Sequence, residues 1–182
     1  GDTGSFVVHD NVLPTLKMTK DEVLNLAIKN TEEQGFKLST MQEMLGDIVS
    51  EGFDLENDEM FEELFPVEEP MLYVLTNSNK TQGAAVLGCK NALNAAINQI
   101  GEECYILPAS CHEVLLIKKS QVNDVEDLKE MVREVNQTQV SPQDFLSNEV
   151  YSIHPQTKQL MICNGDVEKE IGTPKKAKCL CM

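Results

Sequence analysis

Four consecutive residues carry the side chains best suited to chemistry, namely Ser110, Cys111, His112 and Glu113. A cysteine becomes a nucleophile when a nearby base or cation stabilises its thiolate. One hypothesis is therefore a hydrolase or transferase that uses His112 with Glu113, either with or without Cys111 as the nucleophile. Adjacent side chains on a regular strand point to opposite faces, so Cys111 and His112 could meet only at a bend or bulge. The interpretation that these directions favour is a structural His112 beside an unreactive Cys111.

The C-terminal cysteines are the second feature with chemical potential. Cys163, Cys179 and Cys181, together with His154, offer thiol and imidazole groups of the kind that bind zinc. Structural zinc sites usually contain paired knuckles, whereas this segment has a single Cys-x-Cys, so we predict neither a metal nor another cofactor. The last four residues also have the form of a prenylation box after several lysines. Lipid on Cys179 would anchor the chain to a host-cell membrane, and no membrane association is expected without it.

An acidic stretch without lysine or arginine is the third feature. The chain has a formal net charge of −15, and residues 38–79 contain no basic side chain. A phosphate-binding surface needs clustered cations, so direct nucleic-acid binding is not expected. Phe61 and Phe65 flank Glu62 and Glu63. Aromatic residues at this frequency need burial against the domain or a partner. We therefore predict a non-catalytic protein-interaction or regulatory module with a basic protein partner; the alternative is an inhibitor that mimics DNA.

Several helices must position these groups. Two capping boxes, Thr19–Glu22 and Thr40–Glu43, predict helix starts. The apolar stripes that follow them consist of Val23, Leu24, Ala27 and Ile28 in the first helix, and of Met41, Met44, Leu45 and Ile48 in the second. A third helix is predicted from about Lys90 to Gly101, and a fourth begins at Asn123 or Asp124. Ser141 with Pro142 predicts a short helical turn that includes Asp144.

Short apolar runs separated by turn residues predict the strands. They are Phe6–His9, Met71–Thr76 with a returning Gly83–Gly88, Cys104–Leu107 with His112–Ile117, and Val150–Ile153 with Gln159–Cys163. The alternative for Gly83–Gly88 is the first turns of a helix, and we favour the returning strand. Hairpins imply an antiparallel sheet, so the expected fold is α+β, with a ββαββα core, a C-terminal hairpin and helices mainly on one face. The predicted organisation is one domain in which a helical, acidic part (1–70) packs on the core (71–165), followed by a flexible Lys-rich tail (166–182).

The cellular compartment is predicted from the cysteines and the start of the sequence. A chain of 182 residues can build a hydrophobic core and does not depend on disulfides. The first residues are neither basic nor apolar, unlike a secretory signal. We therefore expect a cytoplasmic protein in which Cys89 and Cys104 are unpaired thiols.

A set of ordered blocks carries a resemblance to a known family. The blocks are Met71-Leu-Tyr-Val-Leu-Thr-Asn77, Gly83-Ala-Ala85, Tyr105-Ile-Leu-Pro-Ala-Ser110 with His112-Glu-Val114, Met131-Val-Arg-Glu-Val-Asn136 with Thr138-Gln-Val140, and Leu146-Ser147 with Val150-Tyr151. Together they resemble an uncharacterised domain-of-unknown-function family of gut Gram-positive bacteria, over about residues 6–151. The resemblance implies a bacterial cytoplasmic protein and assigns no activity. Members usually have an upstream segment and an aliphatic residue where this chain has Cys111, so it implies no cysteine nucleophile common to the family.

Overall fold

The computed structural model describes residues 8–44, 71–164 and 167–170. The helices are α1 (Leu13–Leu16), α2 (Lys20–Gln34), α3 (Lys90–Ile100) and α4 (Val125–Thr138), with 3-10 helices at Gly83–Gly88 and Lys119–Gln121. The strands are β1 (Phe36–Thr40), β2 (Leu72–Asn77), β3 (Cys104–Leu107), β4 (Val114–Lys118), β5 (Tyr151–Ile153), β6 (Leu160–Asn164) and β7 (Val167–Glu170). A further helix begins at residues 41–44.

One antiparallel sheet joins all seven strands in the order β1-β2-β4-β3-β5-β6-β7. The predicted α+β class and antiparallel sheet are therefore confirmed. The predicted hairpins β3–β4 and β5–β6 are also formed, with Tyr105 opposite Ile117 and Tyr151 opposite Ile162. β1 was not predicted, and it brings the N-terminal part of the chain into the same sheet.

Side chains alternate between the two faces of the sheet, and each face carries its own apolar cluster. On the first face Leu75, Ile106 and Leu116 are fully buried and pack with the first 3-10 helix and with Leu93 of α3. On the second face Leu107, Val150 and Cys163 pack with Leu128 and Val132 of α4. The sheet thus separates the apolar core into two clusters. The first 3-10 helix and α3 lie on the first side, and α4 covers the second.

The predicted helix ends are formed by the residues that suggested them. The Thr19 amide donates to Glu22 Oε2 at 2.7 Å and Thr19 Oγ1 accepts the Glu22 amide at 3.3 Å, which completes the box at α2. The box of Thr40 and Glu43 makes the same two bonds at 2.7 Å and 3.1 Å. Asp124 caps α4, and Gly101 ends α3 in the left-handed region at φ 80°. These bonds satisfy backbone amides that a helix start otherwise leaves unpaired.

The predicted strand at Gly83–Gly88 is wrong, because this segment forms a 3-10 helix. Its presumed partner, β2, already pairs with β1 along one edge and with β4 along the other, so no edge remains for a returning strand. A Cβ atom at Gly83 would collide with Thr76 Oγ1 and with the carbonyl oxygen of His112, so the chain crosses over the end of β2 in close contact. Gly83 therefore permits a close backbone approach at this point.

Other expectations concern the ends of the chain and the acidic stretch. Residues 8 and 9 are not in a strand, and the remainder of the predicted strand at 6–9 lies outside the described residues. β7 pairs with β6 within the segment for which a loose tail was expected. Several other named positions lie outside the described residues, namely Leu45, Ile48, Phe61, Glu62, Glu63, Phe65, Cys179 and Cys181. In the parts of the chain that the structure describes, none of the helices combines the length and apolar character needed to cross a membrane.

Candidate functional site

Cys111 and His112 lie in the connection between β3 and β4. β4 begins at Val114, two residues later than a strand over 112–117 would. The Ser110 amide donates to the carbonyl oxygen of Glu113 at 3.2 Å, and the His112 amide donates to Ser110 Oγ at 3.0 Å. Because this tight turn is not regular strand, the alternation of side chains does not separate Cys111 from His112.

Asp144 completes a cluster with these two residues. Its Oδ1 atom lies 3.7 Å from Cys111 Sγ and 3.4 Å from His112 Nε2. The backbone reinforces this approach, because the Cys111 amide donates to the carbonyl oxygen of Asp144 at 2.8 Å. Sequence reasoning recognised the turn from Ser141 to Asp144 but did not connect it with Cys111, from which Asp144 is separated by 33 positions. Glu113, the acid considered from the sequence, is not a member of this cluster.

Backbone groups from a third segment hold the His112 ring. Its Nδ1 atom accepts the Gln82 amide at 3.1 Å. A ring nitrogen that accepts a hydrogen bond carries no proton, so the ring proton lies on Nε2 and points toward Asp144. The carbonyl oxygen of His112 accepts a hydrogen bond from Thr76 Oγ1 at 2.7 Å. His112 therefore links the end of β2, the start of the first 3-10 helix and the turn at Asp144.

The electrostatics of the cluster centre on the carboxylate. The Ser141 hydroxyl, which donates to Asp144 Oδ2 at 2.8 Å, lowers the pKa of Asp144 below its ordinary value, and Cys111 and His112 lower it further. The Cys111 residue is 5% exposed, whereas the side chains of His112 and Asp144 are 38% and 42% exposed. The thiol therefore lies on the protein side of the cluster, and the imidazole and carboxylate face solvent.

This arrangement limits nucleophilic chemistry. A Cys–His pair needs the thiol to hydrogen-bond a ring nitrogen with a free lone pair. The lone pair of His112 Nδ1 accepts the Gln82 amide, and Nε2 faces Asp144. The Cys111 thiol donates to Asp144, and a carboxylate beside a thiol disfavours the thiolate. His112 would have to rearrange before it could deprotonate Cys111.

The same three residues are a set of metal donors. One thiol sulfur, one imidazole nitrogen and one carboxylate oxygen lie within 4.8 Å of one another. The C-terminal donors considered from the sequence have other environments. Cys163 is 1% exposed in the cluster under α4, and His154 Nδ1 accepts the Gln156 and Thr157 amides, each at 3.2 Å, within the β5–β6 turn.

Two other cysteines were expected to be unpaired. Cys89 and Cys104 form no disulfide and are 1% exposed. Burial is the main cause that raises the pKa of the Cys104 thiol to about 11, and the nearby Glu102 adds to the rise. Burial also raises the pKa of the Cys89 thiol. Both thiols are therefore unreactive at neutral pH.

Most of the sequence matches a known protein family. Residues 1–154 match a family described as a family of unknown function, DUF5688. The chain belongs to this family. No curated protein and no solved structure matches the chain. The resemblance predicted from the ordered blocks is thus confirmed at the level of a family of unknown function. The matched residues 1–154 include the whole Cys111–His112–Asp144 cluster, and the family description assigns it no role.

Proposed function

We propose that this chain is a non-catalytic protein-interaction or regulatory module of the cytoplasm. The observation that carries the proposal is the bonding of His112, the best general-base candidate in the sequence. Its Nδ1 atom is occupied by a backbone amide at 3.1 Å, and Nε2 faces a carboxylate at 3.4 Å. A residue bonded in this way holds three chain segments together, which is a structural role.

Exposed apolar side chains support a role in binding another protein. On α4, Met131 and Val135 lie one turn apart and are 45% and 42% exposed, whereas Leu128 and Val132 of the same helix are buried under it. Phe145, just after the Asp144 turn, is 45% exposed. Apolar groups that remain accessible after folding can add contact area to a protein interface.

The acidic stretch supplies the predicted specificity of this module. Phe61 and Phe65 would contact the partner, while Glu62 and Glu63 would select a basic surface. The net charge of −15 is consistent with such a partner and opposes binding to nucleic acid. Association with a membrane would require lipid on Cys179 in a host cell.

Affinity capture from the native cell tests this proposal. Phe61→Ala with Phe65→Ala should remove the captured partner, and Glu62→Lys with Glu63→Lys should weaken its capture in a salt-dependent way. The matched control for the charge reversal is Glu32→Lys with Glu33→Lys on α2, an adjacent exposed pair outside the acidic stretch, and it should leave capture unchanged. If charge reversal abolishes capture while the Phe changes have no effect, and both variants are folded, mimicry of DNA replaces the proposal.

A catalytic role is the rival, and one observation favours it: the cluster of Cys111, His112 and Asp144 reaches solvent. An assay for hydrolysis of small thioester and ester substrates would test for this catalytic role. Under the proposal, turnover by the protein equals that of Cys111→Ser and His112→Gln. Turnover above background that disappears in both variants would establish a hydrolase and overturn the proposal.

A further inference from the structure

We propose that Cys111, His112 and Asp144 form a binding site for one divalent transition-metal ion of the zinc class. The three ligands are the Cys111 sulfur, His112 Nε2 and Asp144 Oδ1. Thiolate and imidazole are ligands of zinc and its neighbours, whereas magnesium and calcium select oxygen ligands. The site adjoins Phe145, one of the exposed apolar residues, and the inference does not rest on the proposed interaction role.

The two distances from Asp144 Oδ1 to the other donor atoms match those of a tetrahedral site. Bond lengths of about 2.1 Å to nitrogen and oxygen and about 2.3 Å to sulfur place N and O about 3.4 Å apart, and S and O about 3.6 Å apart, at tetrahedral angles. The observed separations are 3.4 Å between Nε2 and Oδ1 and 3.7 Å between Sγ and Oδ1, and all three donor atoms lie within 4.8 Å of one another. The carboxylate oxygen therefore already lies at bonding geometry relative to both other donors.

Surrounding hydrogen bonds fix two of the ligands in place. The Ser141 hydroxyl binds Asp144 Oδ2 at 2.8 Å and leaves Oδ1 directed at the other two donors. The Cys111 backbone is held on both sides, because its amide donates to Asp144 at 2.8 Å and its carbonyl accepts the Ala84 amide at 3.1 Å. Bonds of this kind orient metal ligands and increase affinity, since less freedom is lost when the ion binds.

The exposure of the ligands decides the fourth coordination position. Cys111 approaches from the buried side, whereas the side chains of His112 and Asp144 are 38% and 42% exposed. The remaining position of a tetrahedral ion therefore points to solvent and would hold water or an external donor. Three protein ligands with one open position distinguish this site from a closed structural zinc site.

Metal binding at His112 Nε2 has a consequence for the Gln82 amide. The ion takes the place of the Nε2 proton, so the neutral ring must carry its proton on Nδ1. Nδ1–H would then face the Gln82 N–H at 3.1 Å, donor against donor. The hydrogen bond must break, and the Gln82 peptide, whose φ of 52° is left-handed, must turn away. Occupation of the site is thus coupled to the start of the first 3-10 helix.

Cobalt(II) spectroscopy on the full chain tests the proposal. Cobalt substitutes for zinc and gives a sulfur-to-metal charge-transfer band only when a thiolate binds it. The tail thiols are first removed by Cys179→Ser with Cys181→Ser. The resulting protein should still show the charge-transfer band and should bind one cobalt ion per chain. Zinc should displace the cobalt, whereas magnesium and calcium should not.

Variants in that background identify the ligands. Cys111→Ser should abolish the band, and Cys163→Ser should leave it unchanged. Losing an outer-sphere partner of a ligand costs about 10–100-fold in metal affinity, so Asp144→Asn and His112→Gln should each weaken zinc binding at least tenfold. The backbone amide resonance of Gln82 should shift on zinc addition in the parent and not in His112→Gln.

Three results would overturn the proposal. They are a tail-free protein that shows no thiolate–cobalt band, a band that persists in folded Cys111→Ser, and a zinc affinity that Asp144→Asn leaves unchanged. Far-ultraviolet circular dichroism checks the fold of each variant. If Cys111→Ser does not fold, Asp144→Asn alone decides, because its side chain is 42% exposed and its replacement keeps the shape.

Discussion

Asp144 shows how one residue joins distant segments. Its carboxylate accepts hydrogen bonds from Ser141 and Cys111 and faces His112, while its carbonyl oxygen accepts the Cys111 amide. The sequence indicates Cys111 and His112 as the chemically interesting pair, and it predicts the turn from Ser141 to Asp144. It could not connect the two, because adjacency across 33 positions is decided by the packing of the sheet rather than by a local pattern.

The lowered pKa of Asp144 leads to a prediction about stability and pH. A group whose pKa is lower in the folded protein stabilises it above the ordinary pKa, which is 3.8 here, and this contribution is lost as the pH falls through the folded value. Asp144→Asn should therefore be less stable than the parent at neutral pH, and this difference should become smaller as the pH falls below 3.8. Urea unfolding with a metal chelator, at neutral pH and at a series of pH values below 3.8, measures the difference.

The control for this prediction is Asp127→Asn on α4, because Asp127 is exposed to solvent and an exposed charge contributes little to stability. Its stability difference from the parent should change less over the same pH range. If the difference in stability between Asp144→Asn and the parent increases as the pH falls, the assigned direction of the pKa shift is contradicted.

At the scale of elements, the sequence predicts a helix end correctly where the hydrogen bonds that form it join residues close together in the chain. The capping boxes at Thr19 and Thr40 and the glycine stop at Gly101 are formed as predicted. β1 was missed because Phe36-Lys-Leu-Ser-Thr40 is short and mixed in character, and it becomes a strand through pairing with β2 more than thirty residues later. The strand prediction for Gly83–Gly88 was wrong for the opposite reason. This segment has the composition of a strand, but both edges of β2 are already paired.

The first 3-10 helix yields a prediction with a matched pair of glycines. Gly83→Ala places a methyl group against Thr76 Oγ1 and the His112 carbonyl oxygen, so the backbone must move. We expect a loss of about 3 kcal/mol in the free energy of unfolding, at the upper end of overpacking effects. At the other end of the same helix, the Cβ of Gly88→Ala would meet only Ile28 Cγ1 at 3.8 Å.

Gly88→Ala should therefore change stability by less than about 0.5 kcal/mol. Urea denaturation of both variants gives the comparison, and the Gln82 amide shift reports whether Gly83→Ala also displaces the bond to His112. Equal stabilities for the two variants would show that the chain does not cross the end of β2 as closely as described.

At the scale of the whole molecule, one sheet supports two apolar clusters. The alternation along β4 sends Val114 and Leu116 to the first face and Leu115 and Ile117 to the second. Composition and hairpin patterns were enough to predict the antiparallel α+β class, because each hairpin is encoded locally. The division of the core and the position of β1 depend on the order of strands in space, which no local segment encodes.

The last prediction tests the fully buried centre of the first face. Leu116 is 0% exposed, opposite Tyr73 on β2 and Ile106 on β3, and Leu116→Ala would leave a cavity there. We expect a loss of about 3–4 kcal/mol in unfolding free energy, which includes lost burial and the cavity itself. The matched control is Leu24→Ala on α2, which is 45% exposed and should cost less than about 1 kcal/mol. Similar costs for both changes in urea unfolding would place Leu116 outside a tightly packed core. The first face would then not be the layer that holds β2, β3 and β4 to the helices.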